Sequence, residues 1–176
     1  MPGRLARWTA AAEPDWDAVY AEQLPRVYNF FRYRCGPGAD VEELTARTFE
    51  KAWRARHRYR RDLAAFGTWL LTIARNVAID DFRARRAHLP LEAAAALPAP
   101  GRSPEDAAVL QADAARLAAL LERLGERDRE LLSLKFGAGM THREIAAATG
   151  LSESNVGTIV SRAVDALRRQ WPGDQR

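Results

Sequence analysis

The sequence predicts an all-α protein of two small helical domains, joined by a Pro/Ala-rich linker, the second ending in a helix-turn-helix. Three observations predict this. Apolar residues recur at helical spacing in almost every segment between breakers. Prolines concentrate in one internal stretch, His88 to Pro104, which reads HLPLEAAAALPAPGRSP. The stretch from Thr141 to Ser161, THREIAAATGLSESNVGTIVS, reads as two short helices around a tight turn.

The elements follow in order. Residues 1–14 read as an N-terminal arm, and Trp8 within it has no assigned role. Asp15 to Cys35 is helical, with Pro25 favouring two helices over one. Gly36-Pro37-Gly38 is a stop. Asp40 with Glu43 forms a capping box opening a helix to about His57, with Val41, Leu44, Thr45, Thr48, Phe49, Ala52 and Trp53 at helical spacing. Arg58 to Ala65 is a polar, basic loop. A long helix runs from about Phe66 to Arg86, with Phe66, Trp69, Leu70, Ile73, Val77 and Phe82 as its expected core face. The first domain thus covers 15–88 and a tether covers 89–103.

The second domain covers 104–171. Ser103-Pro104-Glu105-Asp106 is a helix start, with a cap, a proline at the first position and carboxylates at the positive dipole end. Helices are expected at about 105–124, 126–137, 142–149 and 153–170. Thr141 with Glu144 is a capping box, Gly150 ends that helix and Ser152 caps the next. Ile145, Ala146, Leu151, Val156 and Ile159 are spaced to pack the pair together. The second helix of such a pair enters the major groove of DNA. The alternative is an ordinary helical hairpin.

Composition narrows the function. The 176 residues are 47% hydrophobic, enough to bury cores. Net charge is +4 with a pI of about 9.7, which permits a nucleic-acid partner without requiring one. The distribution is more telling: from Arg54 to Arg86 nine arginines face only Asp62, Asp80 and Asp81. From Asp113 onward ten basic residues face nine acidic ones, so the basic excess lies away from the helix-turn-helix. Thirteen of the fifteen aromatic residues also precede residue 90, so the halves differ in character. Cys35 is the lone cysteine, which excludes an intrachain disulfide and a thiolate metal cluster. His57, His88 and His142 lack zinc-ligand spacing, and neither a phosphate loop nor a nucleophile elbow occurs. The expectation is therefore a non-enzymatic, cytoplasmic protein with no metal and no cofactor, and no membrane-inserting segment.

Thr72, Asn76, Asp80 and Arg83 follow one another at intervals of four, four and three, flanked by Arg75 and Arg86. This polar stripe is expected on the face opposite Trp69 and Ile73, beside the loop Arg58-Tyr59-Arg60-Arg61. Cations that follow phosphates and aromatics that stack bases, at roughly 1–3 kcal/mol per base, suit single-stranded nucleic acid. An ordinary solvated helix face is the competing reading.

Taken together, the segments DVEELTARTFEKAW, FGTWLLTIARNVAIDDFRARR and LERLGERDRELLSLKFGAGMTHREIAAATGLSESNVGTIVSRA resemble the extracytoplasmic-function (ECF) sigma factors of bacterial RNA polymerase. The resemblance implies that 15–88 is sigma region 2 and 104–171 is sigma region 4. It implies that Leu44, Thr45, Phe49, Ala52 and Trp53 dock on the β′ coiled coil of core RNA polymerase, with the β subunit a further contact. Tyr59, Arg60, Arg61, Asp62, Trp69, Arg75, Asn76, Asp80 and Arg83 would capture and melt the minus-ten element. Arg143, Ser154, Asn155, Thr158, Ser161 and Arg162 would read the minus-thirty-five element of promoter DNA. An anti-sigma factor is a further implied partner. Arg47 stands where the family usually has an acid, Arg61 replaces a common glycine, and Val160 stands where lysine is frequent. These departures bear on polymerase contact and promoter sequence, not on the class.

Two other functions compete. A stand-alone helix-turn-helix regulator would bind duplex DNA alone and need a sensing or dimerising first domain. An enzyme or RNA-modifying protein exploiting the basic first domain would need a catalytic constellation, which the sequence lacks.

Overall fold

The computed structural model describes residues 15–36, 39–87 and 104–171, with side chains described for all of these except 86–87 and 104–111. The expected arm and linker lie outside the described residues. Helix α1 spans Trp16–Cys35, α2 Val41–Arg54, and a short 3-10 turn Arg56–Arg58 follows. Helix α3 spans Phe66–Ala87, α4 Pro104–Glu122 and α5 Glu126–Leu132. A π-helical segment, Ser133–Gly137, leads to α6 (His142–Thr149) and α7 (Glu153–Gln170).

Local chemistry explains the ends. The Asp15 carboxylate accepts the amides of Asp17 at 3.2 Å and Ala18 at 3.3 Å, opening α1. Asp40 accepts the Glu43 amide at 2.8 Å, opening α2. The Thr141–Glu144 capping box is complete in both directions, and Gly150 closes α6 at φ 75°, a conformation glycine adopts without a Cβ penalty. Ser152 accepts the Asn155 amide at 3.2 Å and starts α7.

Two elements depart from the sequence reading. Helix α1 continues through Pro25 instead of breaking there. A proline inside a helix costs about 3 kcal/mol or more. Pro25 is exposed while Val19 before it and Val27, Phe30 and Phe31 after it are buried. Burying each such side chain contributes about 1.5–3 kcal/mol, so anchorage on both sides outweighs the lost bond. Helix α5 ends at Leu132 rather than near 137, where the backbone widens into the π segment.

The halves do not bury separate cores. Val27, Phe30, Phe31, Leu70, Leu71 and Val77 from the first share one apolar cluster with Leu131, Leu134, Met140, Ile145 and Val156 from the second. The π segment lies directly on α1: a Cβ at Gly137 would come within 2.8 Å of the Asn29 carbonyl oxygen.

Candidate nucleic-acid interface

The loop before α3 is braced by its own side chains. Tyr59 donates its hydroxyl to the Ala64 carbonyl at 3.1 Å. Arg60 grips Asp62 through two bonds of 2.9 and 2.8 Å, a planar fork on a carboxylate. That hydrogen bonding holds the Asp62 carboxyl below its ordinary range. Burial raises the Tyr59 phenol.

The loop sits on an aromatic cluster. Tyr59 meets Phe66 at 5.2 Å and Trp69 at 5.3 Å, and Phe66 meets Trp16 at 5.7 Å. Trp16 in turn meets Trp53 edge-on at 5.0 Å. Trp53 is 45% exposed, with the Arg56 guanidinium 4.2 Å over its ring. Such edge-packed, part-exposed rings offer aromatic surface to which bases can add.

On α3, Asn76, Asp80 and Arg83 are exposed, and Asp80 accepts from Lys51 at 3.3 Å. The stripe does not oppose Trp69 and Ile73. Residues 69, 73, 76, 80 and 83 recur every three or four positions in one unbroken helix, so they share a side. Trp69 and Ile73 are only half-buried, whereas Leu71, Ala74 and Ala78 fill the core with Leu70 and Val77. The expected core face was therefore rotated, because large aromatics at the rim of a buried stripe scan like core. Arg75 lies off the stripe: its guanidinium is bonded to Glu130 of α5 at 2.7 Å. It faces the second unit, not the loop.

The second surface is simpler. Ser154, Asn155, Thr158, Ser161 and Arg162 on α7 and Arg143 on α6 are all exposed. Val156, Val160 and Ala163 of α7 turn inward, and Ile145 packs from α6. Val160, at 6% exposed, is thus core rather than a lost DNA contact. Spacing of three and four places the polar set along one side of the reading helix. Thr158 also bonds back to the Ser154 carbonyl at 3.0 Å.

Of the residues expected to dock on polymerase, Leu44, Thr45, Phe49 and Ala52 are buried, and Thr45 bonds within its own helix to Val41 at 2.7 Å. Trp53 alone of the five is exposed, and it belongs to the aromatic cluster. What α2 offers outward is an open cleft of about 440 Å³ against α1, lined by Tyr20, Leu24, Pro25, Tyr28, Asn29, Glu42, Thr45 and Ala46. The apolar spacing of α2 marked its core, and the cleft needed the pairing with α1 that spacing does not reveal.

The family profile for sigma-70 region 2 matches residues 19–88, and that for sigma-70 region 4 matches residues 114–167. The ECF RNA polymerase sigma factor RpoE of Cereibacter sphaeroides is 31% identical over 87% of the chain and 86% of its own length. The chain belongs to the ECF RNA polymerase sigma factors. The sigma factor BldN of Streptomyces coelicolor is 34% identical over 98% of this chain, which spans 66% of that relative's length. Among solved structures, CnrH in complex with the cytosolic domain of CnrY superposes with TM-score 0.68 at 26% identity, covering 91% of this chain and 89% of that one. The sigma factor RpoE of Bartonella quintana, in complex with the anti-sigma factor NepR, shares the fold with TM-score 0.74 at 24% identity, covering 92% and 99%. In this ECF sigma factor, as in the two-region profile, the loop–α3 surface falls in region 2 and the α6–α7 surface in region 4. Among the described residues no helix is long and apolar enough to cross a membrane.

Proposed function

We propose that this chain binds core RNA polymerase in the cytoplasm, directs it to a set of promoters and opens the minus-ten element. The observation that carries this is the pairing of two unlike exposed surfaces in one sigma factor. Region 4 presents a hydrogen-bonding helix face suited to duplex DNA, Ser154 to Arg162. Region 2 presents clustered, part-exposed rings, arginines and an amide, suited to unpaired bases. We assign strand capture to Tyr59, Arg60, Arg61, Asp62 and Trp69 with Asn76, Asp80 and Arg83, and leave Arg75 out. Core docking moves from the buried positions of α2 to the α1–α2 cleft, where Tyr20 is 47% exposed. A protein inhibitor is a further partner, in line with the complex in which CnrH is held by the cytosolic domain of CnrY.

Permanganate footprinting of holoenzyme tests the reading. Asn76→Ala and Arg83→Ala should lose thymine reactivity across the minus-ten element while polymerase binding persists. A template already mismatched there should restore initiation to variants impaired in melting. Normal reactivity for both variants on the paired promoter would remove the assignment. Duplex binding by the chain without polymerase would favour the stand-alone regulator instead.

A further inference from the structure

The loop assigned to strand capture carries one large residue that the assignment leaves out. Leu63, between Asp62 and Ala64, is 75% exposed. A single exposed leucine is ordinary on a protein surface. What sets this one apart is the brace around it. The Leu63 amide donates to the Arg60 carbonyl at 3.1 Å and closes a turn. The Ala64 amide donates to the same carbonyl at 3.3 Å, and the Ala64 carbonyl accepts the Tyr59 hydroxyl at 3.1 Å. On the other side, Asp62 is held by both bonds of the Arg60 fork. Both chain neighbours of Leu63 are thus tied back to Tyr59 and Arg60, and Tyr59 is itself packed on Phe66 and Trp69. The isobutyl group is held in solvent instead of collapsing onto the aromatic cluster.

Its surroundings are cationic. Arg58, Arg60 and Arg61 share the loop with one acid, Asp62, whose charge the Arg60 fork already answers. An apolar protein partner would have to bury those cations, whereas a nucleic-acid strand neutralises them. We propose that Leu63 is a strand-separating wedge. As the polar groups of the loop and α3 hold an unpaired base, its isobutyl group enters the gap which that base leaves in the stack. Leucine is among the apolar side chains that proteins insert between base steps, and the contact offsets part of the cost of unstacking. Because the turn is already fixed, little ordering is left to be done on insertion. The inference rests on the function proposed above and deepens it. Asn76 or the Arg60–Asp62 edge can read a base, while Leu63 offers no hydrogen bond to tell one base from another. Its contribution is therefore the same at every promoter the holoenzyme opens.

Variants of the full chain, assembled into holoenzyme, test this on a promoter that wild-type holoenzyme selects from a randomised duplex library. Leu63→Ser removes the apolar group at an exposed turn, and circular dichroism checks that the fold is kept. Permanganate reactivity of thymines across the minus-ten element should fall roughly tenfold, a modest share of the unstacking cost. Leu63→Met, still long and apolar, should recover most of it. A template already mismatched across the element needs no wedge, so Leu63→Ser should match wild type there. Selection repeated with Leu63→Ser should return the same order of bases at each minus-ten position, and its binding to fluorescent core polymerase should equal that of wild type. Normal thymine reactivity for Leu63→Ser on the paired promoter would overturn the wedge. A changed base preference would also overturn it, by making Leu63 a reader, and a weakened affinity for core would do so by making it a polymerase contact. Equal failure on paired and mismatched templates would overturn it as well. Wild-type holoenzyme run in parallel separates the two proposals. If wild type and Leu63→Ser open the paired promoter equally, the wedge alone fails. If wild type selects and opens no promoter, the proposed function fails and the wedge with it.

Discussion

Glu144 carries two duties on one carboxylate. One oxygen accepts the Thr141 amide at 2.8 Å and hydroxyl at 2.9 Å, closing the cap of α6, while the other takes Thr68 across the seam between the two regions. Burial works to raise its pKa, but the Thr141 bonds prevail and hold it below the ordinary 4.5. A carboxyl depressed in the folded state adds stability that is present above its unfolded pKa and lost as pH falls through its folded one. Denaturant titrations across an acid series should therefore show wild type losing stability below about pH 4.5. Glu144→Gln should flatten that limb, and identical limbs would remove the assignment. Cys35 shifts the other way: burial pushes its thiol up to about 11 despite the nearby Arg85 and Arg34. Its alkylation by iodoacetamide should thus stay slow through pH 9.0 and quicken only as the thiolate forms at higher pH or the fold opens. A normal thiol profile in folded protein would contradict that burial. At this scale the exposure of the polar residues of α7 was legible from sequence, because Ser154, Asn155, Thr158, Ser161 and Arg162 fall on one side of a single helix. The Arg34–Glu126 pair was not, since no local pattern links residues 92 positions apart.

Elements were legible where their ends are chemical and illegible where they are decided by packing. The cap of α6 is written in Thr141 and Glu144, and alanine at Thr141 should cost about 1 kcal/mol, measurable as a lower urea midpoint. A cost near zero would mean that Glu144 alone holds the turn. Pro25 misleads because propensity counts a lost hydrogen bond and cannot count Phe30 and Phe31 buried beyond it. The end of α5 misleads for a related reason. Residues 133–137 keep a helical pattern, but the Ala138 amide bonds the Ser133 carbonyl at 2.9 Å and Met140 the Leu134 carbonyl at 3.0 Å, a register set by what lies beneath. That wider turn lays Gly137 on α1, where a standard turn would aim a different residue at the seam.

At the scale of the molecule, composition divides the chain and packing reunites it. Aromatic and aliphatic halves are visible in sequence, yet Phe30 and Phe31 of one are buried in the same cluster as Leu131, Leu134 and Met140 of the other. A core shared in this way couples the unfolding of its two sides. Calorimetry of the full chain at low salt should give one transition, with the calorimetric and van't Hoff enthalpies in agreement. Added salt screens the half-exposed Glu126 end of its pair more than the buried contacts, so it should weaken the coupling without abolishing it. Gly137→Leu removes the close approach itself, so its endotherm should split into two, one for each region, with both regions still helical before the first. Leu134→Ala leaves the approach possible but deletes buried carbon, so it should lower a single transition by the 2–5 kcal/mol usual for such a cavity. The contrast separates a seam that couples the regions from one that merely touches. Two independent transitions in wild type, unmoved by either substitution, would show that the regions fold apart and that their shared cluster adds nothing to stability.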